Sequence, residues 1–248
     1  MIRHAVHAAL LALIAGPCLP AHAGQEAPAE QGLVLEMIQT TPGAFAAEPF
    51  TMKITAYFSG KMCKHVIQGG GEIIHYLDRG KILIVDHDRK TYSEITPEEL
   101  EKLLERGAAE FGDTEDNRAL RKQRGAKPGA LAIARKGAAE AVAGQPTEKY
   151  LFTGPVQLEV WVAPALEAPE GYRDSLKLTM PRNPWIDMNR FCDELVKIPG
   201  VALKKVWTLK LKDKTVTATS VVTSVEKRPL PPSVFEVPAD YQAAPPPF

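Results

Sequence analysis

The chain has 248 residues, of which 45% are hydrophobic, and its 30 lysines and arginines balance its 30 aspartates and glutamates. This neutral charge gives no bias toward nucleic acid or toward anionic membrane surfaces. After the N-terminal stretch, no segment is long and apolar enough to predict a membrane-spanning helix.

The first 23 residues have the three parts of a secretory signal. A basic start at Arg3 precedes the apolar residues 5–19, and the small-x-small sequence that ends at Ala23 matches a signal peptidase site. We therefore expect cleavage after Ala23 and export to the periplasm. The small polar residues 24–31 predict a disordered start of the mature chain.

Alternating apolar residues predict a series of strands from Gly32 onward. The clearest strand covers residues 50–58, where every second side chain is apolar and the residues between are mostly polar. The connections in this region are short, whereas parallel strands need long crossovers. The pattern therefore favours an antiparallel meander up to Ile95.

Two amphipathic helices are predicted among the strands. The first begins at a capping box formed by Thr96 and Glu99, and the second begins at Asn183 followed by a proline. Their apolar faces must be buried, and one face of the sheet is the obvious place. The residues expected on these faces are Leu100, Leu103, Leu104, Met188 and Phe191.

Residues 112–147 differ from the rest in being rich in Ala, Gly, Arg and Lys, with a basic cluster at 118–127. They predict a flexible insertion, loosely ordered and at most partly helical. Strands resume at 149–163, and a long hairpin covers 202–225. A Pro-rich tail is expected at 242–248.

The order of these signals carries a family resemblance. Residues 81–92, Val160–Pro164, Ile198–Gly200 and the tail 230–241 resemble an uncharacterised family of secreted bacterial proteins. That family is similar to the LolA-like superfamily of outer-membrane lipoprotein carriers. The resemblance implies a single domain over 32–241 that is mainly β (α+β). It would be a curved antiparallel half-barrel sheet with two or more helices packed on its concave face.

The resemblance also implies an apolar cavity between the sheet and the helices, used in the superfamily for acyl chains or adapted to envelope-stress sensing. The helix residues named above would form its movable lid. The cavity-lining candidates on the strands are Phe50, Met52, Ile54, Phe58, Val160, Trp207 and Leu209. The same stripes also fit an ordinary packed core, and alternation alone does not separate the two interpretations.

Motifs of common enzymes are missing from the sequence, which has no Gly-x-Ser-x-Gly elbow, His-Glu-x-x-His, Walker loop or dinucleotide fingerprint. We therefore expect neither an enzyme nor a cofactor. Asp86-His87-Asp88 has metal-ligand types but is typical of a turn, so no metal is expected. Cys63 and Cys192 could form a disulfide in an oxidising compartment or remain two buried thiols.

The sequence thus favours a non-enzymatic periplasmic binding or carrier protein for a lipid, an acylated protein or another apolar ligand. The alternative is an envelope protein-interaction or stress-sensing module with a packed core and no ligand. Nucleic acid is not expected as a partner. The identity of the ligand and the oligomeric state stay open.

Overall fold

The computed structural model describes residues 29–41, 50–103, 131–154, 156–179, 188–210 and 215–246. Twelve strands run through these ranges. They are β1 (Glu30–Thr41), β2 (Phe50–Ser59), β3 (Met62–Ile67), β4 (Glu72–Tyr76), β5 (Lys81–Asp86), β6 (Thr91–Ile95), β7 (Ala132–Val142), β8 (Gln145–Thr153), β9 (Gln157–Ala163), β10 (Val201–Lys210), β11 (Thr215–Leu230) and β12 (Gln242–Ala243).

These strands form one open sheet in the order β12-β6-β5-β4-β3-β2-β1-β11-β10-β9-β8-β7. Strand β1 lies near the centre, between β2 and β11, and joins the N-terminal meander to the C-terminal strands. The predicted predominance of β structure is confirmed. The neighbouring strands are antiparallel, as the short connections indicated, with one exception at the C-terminus.

That exception makes the sheet mixed rather than wholly antiparallel. Strand β12 pairs in parallel with β6, and the amides of Gln242 and Ala244 donate to the carbonyl oxygens of Lys90 and Tyr92. The chain returns along the outer edge of β6 after a short 3-10 helix at Pro232–Phe235. The start of the predicted Pro-rich tail is therefore an edge strand, which covers otherwise unpaired backbone groups.

Three helices accompany the sheet in the described ranges. The described part of α1 covers residues 97–103, and α2 (Glu170–Thr179) and α3 (Met188–Leu195) follow. The capping box predicted for α1 is confirmed. The Thr96 amide donates to the Glu99 carboxylate at 2.8 Å, and the Glu99 amide donates to the Thr96 hydroxyl at 3.2 Å. No helix in the described ranges has the length and apolarity that a membrane crossing needs.

The sequence analysis missed α2. Its buried residues are Tyr172, Ser175 and Leu176, which lie at i, i+3 and i+4 and therefore on one face. The signal was present but short, and a serine interrupts its apolar character. The predicted second helix corresponds to α3, although its proposed start at Asn183 lies outside the described residues.

The prediction of a flexible insertion over 112–147 is wrong for its last part. Residues 132–142 form β7, which pairs with β8, and β8 itself begins at Gln145. Ala143 and Gly144 join the two strands with φ values of 50° and 74°, as a tight two-residue hairpin turn requires. Because β7 is a mostly exposed edge strand of small residues, it lacks the apolar alternation that predicts a strand. Residues 112–130 lie outside the described ranges.

Both faces of the sheet bury apolar side chains. On β1, Leu33 and Leu35 belong to the main core cluster, which also contains residues of α2 and α3. Val34 points the other way and belongs to a second cluster with Phe235 of the C-terminal segment. Strand alternation thus separates a face covered by helices from a face covered by the tail.

Candidate functional site

A cavity of about 380 Å³ lies on the helix-covered face of the sheet. It is bounded by six neighbouring strands, from β4 through β3, β2, β1 and β11 to β10, and by α1 and α2. Its apolar lining residues are Leu35, Met37, Met52, Ile54, Phe58, Ile67, Ile73, Leu100, Leu176, Ala202, Leu203 and Val222. Most of the wall therefore consists of aliphatic, methionine and phenylalanine side chains.

The register of the strands explains how these side chains converge. Met37 on β1 lies opposite Val222 on β11 and opposite Ile54 on β2. Ile54 in turn lies opposite Ile67 on β3. Directly opposed residues point to the same face of a sheet. One continuous row of apolar side chains therefore crosses four strands beneath the cavity.

Four of the residues predicted from the sequence line this cavity, namely Met52, Ile54, Phe58 and Leu100. Phe50 does not, since it is at the start of β2 and is 39% exposed. Leu103 packs instead against the small cluster around Ile82. Leu104 lies outside the described residues, as does the side chain of Met188.

The remaining strand candidates lie in the packed core rather than at the cavity. Val160, Trp207 and Leu209 are buried in the main cluster, and the ring centroid of Phe191 is 5.5 Å from that of Trp207. Phe191 of α3 thus helps to fill this part of the core and does not line the cavity. Both interpretations of the apolar stripes hold, each on a different part of the sheet.

Polar residues that the sequence analysis did not single out complete the lining. They are Gln39, His65, His75, Tyr172, Ser175, Lys205 and Ser220. Lys205 on β10 lies opposite Ser220 on β11, and Ser220 lies opposite Gln39 on β1. A polar row therefore borders the apolar row. Its signal in the sequence was the presence of Lys205 and Ser220 at strand positions where alternation turns the side chains inward.

His65 and His75 form a pair in the wall of the cavity, with ring centroids 6.1 Å apart. His75 is 1% exposed, and neither of its ring nitrogens has a hydrogen-bond partner among the described residues. The same is true of Nε2 of His65. Buried polar atoms of this kind normally have partners. The cavity therefore presents hydrogen-bonding capacity that the described protein atoms do not use.

The environment favours the uncharged form of both imidazoles. Burial, with smaller contributions from His75 and Lys205, lowers the pKa of His65 to about 3. Burial lowers the pKa of His75 to about 4. Each ring is therefore neutral near pH 7, with one N–H donor and one acceptor nitrogen.

Lys205 is the strongest polar group in the lining. It is partly buried, and burial lowers the pKa of its ammonium group. The cavity-lining residues include no Asp or Glu, and Lys205 makes no ion pair with a described residue. A buried ammonium group without an acidic partner is unusual in proteins.

Helix α2 is fixed over the cavity by contacts at its N-terminal end. The Gly171 amide donates to the carbonyl oxygen of Gly60 at 2.8 Å, in the turn between β2 and β3. The Ala202 amide donates to the Tyr172 hydroxyl oxygen at 2.7 Å, and the Tyr172 ring packs against Phe58. The first turn of α2 is thus bound to both sides of the cavity.

The disulfide considered for Cys63 and Cys192 is not formed in the structure. Both residues are buried, Cys63 on β3 and Cys192 on α3. The Cys192 thiol lies 3.6 Å from the Leu176 carbonyl oxygen, to which it donates. Burial raises the pKa of the Cys63 thiol to about 12, so it is protonated. Among the described residues, no three His, Cys, Asp or Glu side chains converge as metal ligands.

No family model matches the sequence, and no curated protein matches it. Solved structures with a similar fold include an uncharacterized conserved protein from Thermus thermophilus. That protein is 8% identical with a TM-score of 0.46, over 88% of this chain and 91% of the other.

Two further structures are similar over most of this chain. PNGF-II is 10% identical with a TM-score of 0.38, over 87% of this chain and 31% of its own. MucB is 11% identical with a TM-score of 0.39, over 86% of this chain and 60% of its own. The chemistry of the cavity therefore rests on the residues of this chain.

Proposed function

We propose that the protein is a non-enzymatic periplasmic binding protein that holds an apolar ligand between its sheet and the helices α1 and α2. The observation that carries this proposal is the cavity of about 380 Å³ with a mainly apolar lining. This volume is in the range of small-molecule pockets, about 300–1,000 Å³. It is more than twice the volume of about 150 Å³ at which an engineered apolar cavity takes up benzene.

The chemistry of the wall suits an aliphatic chain. Met37 and Met52 are flexible, polarisable side chains that adapt to irregular ligands. Each methylene group that leaves water for such a cavity contributes about 0.8 kcal/mol. A chain of several methylenes can therefore bind usefully through burial alone. A lipid or another acylated molecule is the proposed class of ligand.

A LolA-like half-barrel is the proposed form of the sheet, and one electrostatic relationship supports it. Lys205 on β10 is close enough to His65 on β3 to help lower the pKa of that imidazole. The two strands are four positions apart in the sheet. In a flat sheet four spacings amount to about 19 Å. A sheet that bends around the cavity brings the two groups together.

Mass spectrometry of organic extracts tests the proposal directly. The full chain is expressed with residues 1–23, purified natively from the periplasm and extracted beside an exported control protein of similar size. We expect a reproducible lipid in near-stoichiometric amount. The purified protein should also take up a neutral fluorescent probe such as N-phenyl-1-naphthylamine.

A clean extract together with no uptake of the probe would contradict the proposal. That pair of results would favour the envelope interaction module, whose working surface is the exterior of the fold. Recovery of the protein from the cytoplasm with residues 1–23 still attached would contradict the periplasmic location.

A further inference from the structure

We infer that the ligand is an amphiphile with an anionic head group, which pairs with Lys205 beside His65 and His75 while its aliphatic chain lies along the apolar row. This inference rests on the proposed function and specifies its ligand. It concerns the chemistry of one end of the cavity. It follows from three basic side chains that share one apolar space.

The first step in the argument is the charge balance of the cavity. Lys205 lines it, and none of the described lining residues is acidic. Desolvating an ammonium group without a counter-ion is costly, and an opposite charge removes that cost. An anionic group on the ligand supplies the counter-ion that the described protein residues do not. A cationic ligand would instead be repelled by Lys205.

The second step is the unused hydrogen-bonding capacity of the two histidines. Both ring nitrogens of His75 and Nε2 of His65 lack partners among the described residues. His75 is 1% exposed, so bulk water does not satisfy it. Each neutral imidazole has one N–H to donate. Carboxylate and phosphate oxygens accept several such bonds at once.

The third step is the arrangement of polar and apolar groups. Lys205, Ser220 and Gln39 lie in one cross-strand row. The adjacent row in the same cavity consists of apolar side chains from Val222 to Ile67. An amphiphile matches this division, because its head can lie at the basic groups while its chain covers the aliphatic wall. A neutral hydrocarbon would leave the basic groups unpaired.

The anionic head can be a carboxylate or a phosphate, and three probes with the same chain separate these sources. Dodecanoate, dodecyl phosphate and neutral dodecanol are titrated below their aggregation limits at pH 8, in competition with the naphthylamine probe. We expect both anions to bind more tightly than dodecanol by about tenfold to about 100-fold, the range that hydrogen bonds to charged groups contribute. The tighter of the two anions identifies the head group.

Lys205→Met removes the charge while keeping an unbranched side chain, and Lys204→Met is its matched control. Lys204 is the next residue of β10, but its ammonium group lies 2.9 Å from Glu140 and outside the cavity. Lys205→Met should remove the preference for the anions and leave dodecanol binding within about twofold. Lys204→Met and Lys205→Arg should keep the preference.

The outcomes separate this inference from the function on which it rests. Equal affinity of the wild-type protein for dodecanol and the two anions overturns the anionic head group while leaving an apolar cavity. Equal losses for all three probes in Lys205→Met also overturn it, because Lys205 would then act only on the structure. Failure of all three probes and of the naphthylamine to bind overturns the proposed function itself.

Discussion

Lys204 and Lys205 are consecutive residues of β10 whose side chains serve opposite faces of the sheet. The Lys204 ammonium lies 2.9 Å from a Glu140 oxygen and 4.2 Å from the centre of the Trp161 ring. Lys205 lines the cavity instead, without an acidic neighbour in the described lining. The first lysine has the surroundings of an ordinary surface ion pair. The second has those of a binding group that awaits an anion.

Ile54→Lys should prevent the capture of apolar ligands. Ile54 lies in the middle of the apolar row, opposite Met37 and Ile67. A lysine there would put a second ammonium group into the cavity and occupy the path of the aliphatic chain. We expect the affinity for the neutral naphthylamine probe to fall at least about tenfold, measured by fluorescence titration.

The matched control for this change is Thr51→Lys. Thr51 is an exposed residue of the same strand, on the side that alternates away from Ile54. It should bind the probe as the wild-type protein does. If a folded Ile54→Lys variant also binds normally, Ile54 does not belong to the ligand site.

Acidification should destabilise the fold through the two buried histidines. Their pKa values are about 3 for His65 and about 4 for His75 in the folded chain, against 6.5 when unfolded. As the pH falls below 6.5, the unfolded chain binds protons that the folded chain does not. The free energy of unfolding should therefore fall between pH 6.5 and pH 4. The expected loss between pH 6.5 and 5 is about 1 kcal/mol or more for each histidine.

Urea unfolding at pH 6.5, 6.0, 5.5 and 5.0 measures this effect. Ordinary carboxyl groups titrate mostly below this range, with pKa values near 4. His75→Phe keeps an aromatic ring but removes one of the two titrating groups. It should show a shallower loss of stability than the wild-type protein. Identical slopes for the two proteins would mean that His75 is not held neutral in the fold.

The apolar part of the cavity was predictable from the sequence because it depends on local alternation. Met52, Ile54 and Phe58 belong to one strand, and period-two spacing places them on one face whatever their partners are. Leu100 was predictable in the same way from the capping box and helical spacing. These residues needed no knowledge of strand order.

The polar part of the site was not predictable, because it depends on register and on strand order. His65 and His75 are on consecutive strands, whereas Lys205 is on a strand four positions from β3. The sequence places a lysine and two histidines on strands but does not say that one cavity holds all three. Strand β7 was missed for a related reason. Backbone pairing with β8 rather than burial of side chains determines its structure.

Gly171→Ala should loosen α2 over the cavity. A Cβ atom at Gly171 would lie 2.7 Å from the Met62 carbonyl oxygen, which is too close for a carbon atom. The contact is with backbone, so the helix itself must shift and its hydrogen bond to Gly60 must lengthen. Overpacking of this kind costs about 1–3 kcal/mol. We expect a lower thermal midpoint and faster cleavage by protease within the α2 region.

Arg173→Ala is the control for this variant, since Arg173 is exposed in the same turn of α2. Its thermal midpoint and protease resistance should match those of the wild-type protein. Equal stability of Gly171→Ala and the wild-type protein would show that α2 does not need its close contact with the turn between β2 and β3.

Phe235→Ala should destabilise the protein without impairing the cavity. Phe235 is completely buried in the cluster on the tail-covered face, and the Tyr76 hydroxyl donates to its carbonyl oxygen. Truncating a buried phenylalanine costs about 3–5 kcal/mol. Val237→Ala, at a partly buried site of the same cluster, should cost clearly less. Urea unfolding measures both changes.

The distinguishing expectation is that folded Phe235→Ala keeps its affinity for the apolar probe. On β1, Val34 faces the cluster of Phe235 whereas Leu35 faces the cavity, so the two sites share a sheet but no side chains. A loss of probe binding in the folded variant would mean that the tail controls the shape of the cavity through the sheet. Unchanged binding with reduced stability would assign the tail to stability and the helix-covered face to binding.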